Sequence, residues 1–148
     1  MAEANREDIY NSIPLPLGDS IFIRVITIRA STVPTDSSRI SCDFHLLDLE
    51  TKLLQQSSTT SRTAKPVGYT ALSYTWGDAT PLRTIDLDGK PVAVRKNLWD
   101  FLNRAREDGF AGYLWIDALC IDQSTVGERN HQVAMMGTIY SRAEGIIV

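Results

Sequence analysis

Cysteine is scarce in this chain, with Cys42 and Cys120 the only two in 148 residues. Two thiols cannot build a disulfide framework, and a chain of this length does not need one to hold a fold. A reducing, cytoplasmic setting is therefore expected. Long apolar runs are also missing. The longest, residues 21–28, is interrupted by Arg24 and Thr27 and falls far short of the ~20 residues needed to cross a bilayer. The first ten residues carry Glu3, Arg6, Glu7 and Asp8 and lack the apolar core of a secretory signal. Fifteen Lys plus Arg against eighteen Asp plus Glu leave a net charge of −3, which repels a phosphate backbone and excludes a dedicated nucleic-acid binder. No glycine-rich phosphate loop of either common type is present.

With 43% hydrophobic and 22% charged residues, the chain has the composition and length of one globular domain. Residues 1–13 are expected to be disordered, with the domain spanning 14–148. Residues 21–28 are rich in β-branched side chains and read as a strand, preceded by a loop containing Pro14, Pro16 and Gly18. A turn at 34–38 leads to Ile40, Cys42, Phe44 and Leu46, which alternate with polar residues in the period of a half-buried strand. The two strands are expected to form an antiparallel hairpin. The polar stretch 51–66 reads as a mobile loop and as the boundary to an alternating α/β part.

Residues 69–76 read as a buried strand closed by Gly77 and Asp78. Asp88-Gly89 between residues 85–87 and 92–94 predicts a tight hairpin. Asn97 is placed to cap a helix whose apolar face is Leu98, Phe101, Leu102 and Ala105, with Gly109 past its end. Residues 113–121, apolar on both faces, read as a central parallel strand holding one acid, Asp117. Thr125 and Glu128 have capping-box spacing and open a second helix with an inward stripe of Val133, Met136, Tyr140 and Ala143. Residues 145–148 read as the start of another buried strand.

In an open α/β sheet, ligands collect beyond the carboxyl ends of the strands where strand order reverses. Ser73, Tyr74, Trp76, Gly77 and Asp78 lie at one such end, and Asp117, Asp122, Gln123, Glu128 and Arg129 at another. If the two strands are neighbours, these residues share a crevice. Gly77 permits close backbone approach, Trp76 offers a stacking face, and Asp78, Asp122 and Glu128 supply carboxylates for hydroxyl binding or acid/base work. Each also has a structural reading, as turn, cap or core. Asp117 inside an apolar strand needs a partner, either Arg129, another cation or backbone N–H groups. Cys42 with His45 lacks the paired spacing of a zinc motif, and Cys120 between Leu119 and Ile121 reads as a buried hydrophobe rather than a nucleophile served by His131. No metal is expected.

Three segments resemble one family. YTALSYTWGD at 69–78, YLWIDALCIDQ at 113–123, and ERNHQVAMMGTIY at 128–140 with Ala143 are similar to the three blocks of the fungal heterokaryon-incompatibility (HET) domain. The resemblance runs from about Pro14 to Val148. It implies a role in fungal nonself recognition and programmed cell death, exerted through association with other HET or incompatibility proteins or as a homo-oligomer. HET domains are distantly similar to TIR domains, so the implied fold is a partial flavodoxin/TIR-like three-layer α/β sheet with parallel strands and an added N-terminal antiparallel hairpin. Some TIR domains cleave NAD at the nicotinamide bond, which makes NAD a candidate substrate, with no cofactor required. Their catalytic glutamate follows the third strand, where this sequence stops. The resemblance therefore implies C-terminal truncation and an inactive fragment unless Glu128 takes the catalytic place.

Overall fold

The computed structural model describes residues 6–15, 21–30, 39–55, 65–73 and 82–147. β1 (Phe22–Ile28) and β2 (Ser41–Asp48) form the expected hairpin, in register from Phe22 opposite Asp48 to Ile28 opposite Cys42. Cys42 and Phe44 are buried as the alternation predicts, but Leu46 is only partly buried and Leu47, on the opposite face, is fully buried, because both faces of the sheet are covered there. Ahead of the hairpin, residues 6–13 depart from the expected disorder. Arg6–Asn11 form a helix, α1, that buries Ile9 and Tyr10. Two large apolar side chains in a short polar segment suffice to dock it, with the Tyr10 ring 5.8 Å from that of Phe44.

The stretch expected to be mobile from residue 51 is structured at both ends. β3 (Leu54–Gln55) pairs antiparallel with β2, and the Val67 N–H donates to the Lys52 carbonyl at 2.8 Å. Residues 56–64 of that loop, and the turn at 34–38, lie outside the described residues.

β4 (Tyr69–Leu72) runs parallel to β7 (Tyr113–Ile116) on one side and to β8 (Gly145–Ile147) on the other. Between β4 and β7 the chain forms the hairpin of β5 (Leu82–Leu87) and β6 (Lys90–Arg95) and then helix α2 (Lys96–Glu107). The Asp88-Gly89 turn has φ of 52° and 79°, the double left-handed conformation that suits a two-residue hairpin. α2 starts one residue before Asn97 and receives no side-chain cap, but Gly109 at φ 73° closes it as expected. Leu98, Leu102 and Ala105 are buried.

All these strands join one mixed sheet, in the order β6-β5-β2-β1-β7-β4-β8, with β3 attached to β2. The parts of the chain before and after the polar stretch thus share one sheet. β5 pairs with β2 and β7 with β1, so the second part of the chain brackets the first. β8 is an edge among the described strands and is not buried, since Ile146 is half exposed. Phe44 and Leu114, through Ile26, share the face that meets α1. Trp115 points to the opposite face, where its ring stands edge-on to Tyr140 at 5.5 Å.

The apolar run 113–121 is split. After β7 the chain makes one helical turn, α3 (Asp117–Cys120), because a short run apolar on both faces satisfies a buried strand and a buried helical turn equally well. The last helix is also split, into α4 (Val126–Ala134) and α5 (Met136–Arg142). The break changes the inward stripe: Gln132 and Ile139 are fully buried, whereas Val133 is 54% exposed.

Asp88 tests how the hairpin is docked. Its Oδ1 accepts the Phe44 N–H at 2.8 Å while its backbone is left-handed. Asp88→Ala loses both features and should cost about 2 kcal/mol in urea unfolding. Asp88→Asn keeps an acceptor and tolerance of positive φ, and should cost clearly less.

Candidate functional site

The parallel pairing puts Leu72 of β4 opposite both Ile116 of β7 and Ile147 of β8. The chain proceeds from β4 to β7 on one side and to β8 on the other, so strand order reverses at β4, the position at which open sheets form a crevice. Ser73 lies there, its N–H donating to the Ile147 carbonyl at 2.8 Å. Asp117 follows directly on β7. The expected juxtaposition of the two strand ends is therefore present for Ser73 and Asp117. Tyr74, Trp76, Gly77 and Asp78 lie outside the described residues.

Asp117 has no ion-pair partner among the described residues. Burial raises its pKa above the ordinary carboxyl value, and an Ala118 N–H bond only partly offsets this. Of the partners expected for it, the backbone N–H is the one it meets. Tyr140 is close enough that burial and the Asp117 charge both raise its phenol pKa. Its hydroxyl donates to the Leu72 carbonyl at 3.5 Å. The Trp115 indole, edge-on to Tyr140, has its Nε1 buried without a hydrogen-bond partner among the described residues. Gln123 is exposed and its amide donates to the Asp117 carbonyl at 3.2 Å. Arg129 is exposed on α4.

Glu128 has a different environment. Its Oε1 accepts from Arg24 Nη2 at 2.7 Å, and its Oε2 accepts from Arg24 Nη1 at 2.9 Å and from the Asp122 N–H. The Arg24 side chain is 1% exposed and that of Glu128 12%. Arg24 also donates through Nε to the Ile13 carbonyl at 2.8 Å and through Nη1 to the Cys120 carbonyl at 3.2 Å. Its guanidinium lies 4.8 Å from the centre of the Tyr10 ring, whose hydroxyl donates to the Leu119 carbonyl. One fork-to-fork pair thus links α1, β1, α3 and α4.

The Thr125–Glu128 capping box does not form. α4 starts at Val126 with no side-chain cap, because Glu128 is held by Arg24 and the Thr125 hydroxyl donates to Asp122 Oδ2 at 2.7 Å. Asp122 Oδ1 accepts both the N–H and the hydroxyl of Ser124. Burial works against the Asp122 charge, but these hydrogen bonds outweigh it and hold the pKa below the ordinary value. Arg24, Tyr10 and Ile13 were not expected at the site. The available signal was Arg24 itself, a charge in an apolar β-branched strand that must find a partner. Both cysteines are buried thiols with pKa pushed up to about 12 by burial.

The three blocks read from the sequence now have places: β4, the turn from β7 into α3, and α4–α5. A family model for "Heterokaryon incompatibility protein (HET)" matches residues 69–148, more than half of the chain. The chain belongs to the HET family. It is similar to Heterokaryon incompatibility protein 6, OR allele, of Neurospora crassa, with 34% identity over 102 residues. That match covers 60% of this chain and 15% of the relative, so the chain spans a small part of the relative's length. No solved structure matches. The HET match contains Asp117, Asp122 and Glu128 but begins after Arg24.

Removing one member of the buried pair strands the other charge. Arg24→Met and Glu128→Gln should each cost about 3 to 5 kcal/mol. Arg24→Met combined with Glu128→Leu should recover much of that loss, and a double-mutant cycle in urea measures the coupling.

Two aspartates should give opposite pH responses. The raised pKa of Asp117 means that its contribution to stability falls as pH rises through the carboxylate range, so Asp117→Asn should be more stable than the parent at neutral pH. The lowered pKa of Asp122 gives stability that is present above the unfolded value of about 3.9 and lost as pH falls through the folded one. Asp122→Asn should therefore be less stable at neutral pH, with the difference shrinking on acidification. Thermal melts across pH measure both.

Proposed function

We propose that this chain is the HET module of a heterokaryon incompatibility protein, acting in the cytoplasm in fungal nonself recognition and programmed cell death. On this reading it signals by association with other HET or incompatibility proteins or with copies of itself, and needs no cofactor. Family membership and the resemblance to the Neurospora crassa relative support the incompatibility role. No helix among the described residues is long and apolar enough to cross a membrane. The carrying observation for association over turnover is the state of Glu128. Both its oxygens are committed to Arg24 and the Asp122 N–H, so its side chain is held by the fold and not presented to a substrate.

A flavodoxin/TIR-like core is part of the same reading. It is supported by the parallel order β7-β4-β8, in which the first strand in the chain is central, and by α1 and α5 lying on opposite faces. The second reading is a TIR-like NAD hydrolase. Asp117 favours it, because a half-buried carboxyl of raised pKa beside Tyr140 at the strand ends suits a proton donor.

Purified protein incubated with NAD, both free and displayed on a clustering scaffold, should release no nicotinamide. It should bind a partner HET domain or self-associate in sedimentation. Nicotinamide release by the parent, abolished in a folded Asp117→Asn or Glu128→Gln variant, would establish the hydrolase instead.

A further inference from the structure

The outer edge of β2 is covered in two pieces. β5 pairs with it at Ser41 and Cys42, and β3 at Leu46 and Leu47. Between them, the Phe44 N–H is held by the Asp88 side chain at 2.8 Å. The segment that follows α1 lies beside this gap and forms with it a partly open cavity of about 480 Å³, within the ~300–1,000 Å³ range of small-molecule sites. Ile13, Leu15, Phe44 and Leu46 supply apolar walls, and His45 and Gln55 supply polar groups. Among the described residues that line it there is no Asp, Glu, Lys or Arg.

We propose that this cavity binds an uncharged, amphipathic small molecule, an aromatic or aliphatic body carrying one or two hydrogen-bonding groups. An ionised ligand would lose hydration on entry, and none of the described lining residues carries a charge to offset that loss. His45 does not supply one. Burial lowers its pKa despite the nearby Asp43 and Asp88, its Nε2 is 2.9 Å from the Thr27 hydroxyl, and its ring stands edge-on to Tyr113. The site is separate from the strand-end crevice and does not rest on the incompatibility reading. It touches the buried ion pair at one residue. The Ile13 side chain lines the cavity while its carbonyl accepts the Arg24 Nε–H, so an occupant is registered at Arg24.

Indole, neutral with one N–H donor, is the probe, and ionised indole-3-acetate is its charged counterpart. Titrated into the ¹⁵N-labelled full chain, indole should give saturable shifts of the Ile13, Leu15 and Leu46 amides and of the Arg24 Nε–H. A dissociation constant of about 1 mM is expected for so small a ligand. Indole-3-acetate should bind at least about tenfold more weakly, a difference on the scale of ~1.4 kcal/mol. Leu46→Trp fills the cavity and should abolish the shifts. Leu15→Trp, at a partly buried position, serves the same purpose should the first variant unfold. Absence of saturable shifts with indole, shifts that persist in the folded filled variant, or equal binding of the two probes would each overturn the proposal.

Discussion

The Arg24–Glu128 pair is the constraint on which the arrangement of this domain rests. A guanidinium buried to 1% exposure carries a desolvation cost of several kcal/mol, which one carboxylate repays only with good geometry and with its remaining donors satisfied. Here the carboxylate is bidentate, and the other donors find the carbonyls of Ile13 and Cys120. Those acceptors come from the segment after α1 and from the end of α3. The charge in β1 is thus tolerable only when α1, α3 and α4 are all docked. It selects one arrangement of four elements, whereas apolar contacts alone would accept several.

This dependence explains which elements were legible in the sequence. The β1–β2 hairpin, the Asp88-Gly89 turn and the stop of α2 at Gly109 are set by local chemistry: strand alternation, residues tolerant of positive φ, and a helix end. They stand where local rules put them. The Thr125–Glu128 spacing is an equally good local signal, yet no capping box forms because a buried arginine more than a hundred residues away in sequence takes the glutamate. A tertiary charge pair overrides a cap worth about 1 kcal/mol. The helix α1 was illegible for the same kind of reason, since its six residues fold against Phe44 and Arg24 rather than on their own propensity. The run 113–121 failed differently. Strand and helical turn bury it equally, and only the Asp117–Cys120 turn shows which wins.

The candidate site divides along the same line. Neighbouring strand ends and the acids beyond them could be read from alternation and motif position, and Ser73 and Asp117 do follow the paired residues Leu72 and Ile116. What the spacing could not supply was the environment of each acid. Asp122 receives three donors from Ser124 and Thr125, so its charge is stabilised locally. Asp117, five residues earlier, receives one backbone N–H and meets a desolvated phenol. Two identical side chains on either side of one helical turn are therefore driven toward opposite protonation preferences. Among the described residues the buried indole N–H of Trp115 and the buried Oε1 of Gln132 find no hydrogen-bond partner, a polar deficit that a fully optimised core would have removed.

The HET match starts at Tyr69, but the physical unit does not. β7 is central because β1 pairs with its other edge at Ile26 and Leu114, and the β5–β6 hairpin is anchored through Asp88 to β2. Cut away from residues 6–55, the matched region would expose the β7 edge and the apolar face of Leu114. It would also leave the Glu128 carboxylate without its cation, at the end of the sheet where Asp117 and Ser73 lie. Each of these losses is a cost by itself, and together they fall on the strand and helix that position the candidate site. The hairpin and α1 are therefore structural parts of the site's support, and a change in either reaches Glu128 through Arg24 without touching a residue of the matched blocks.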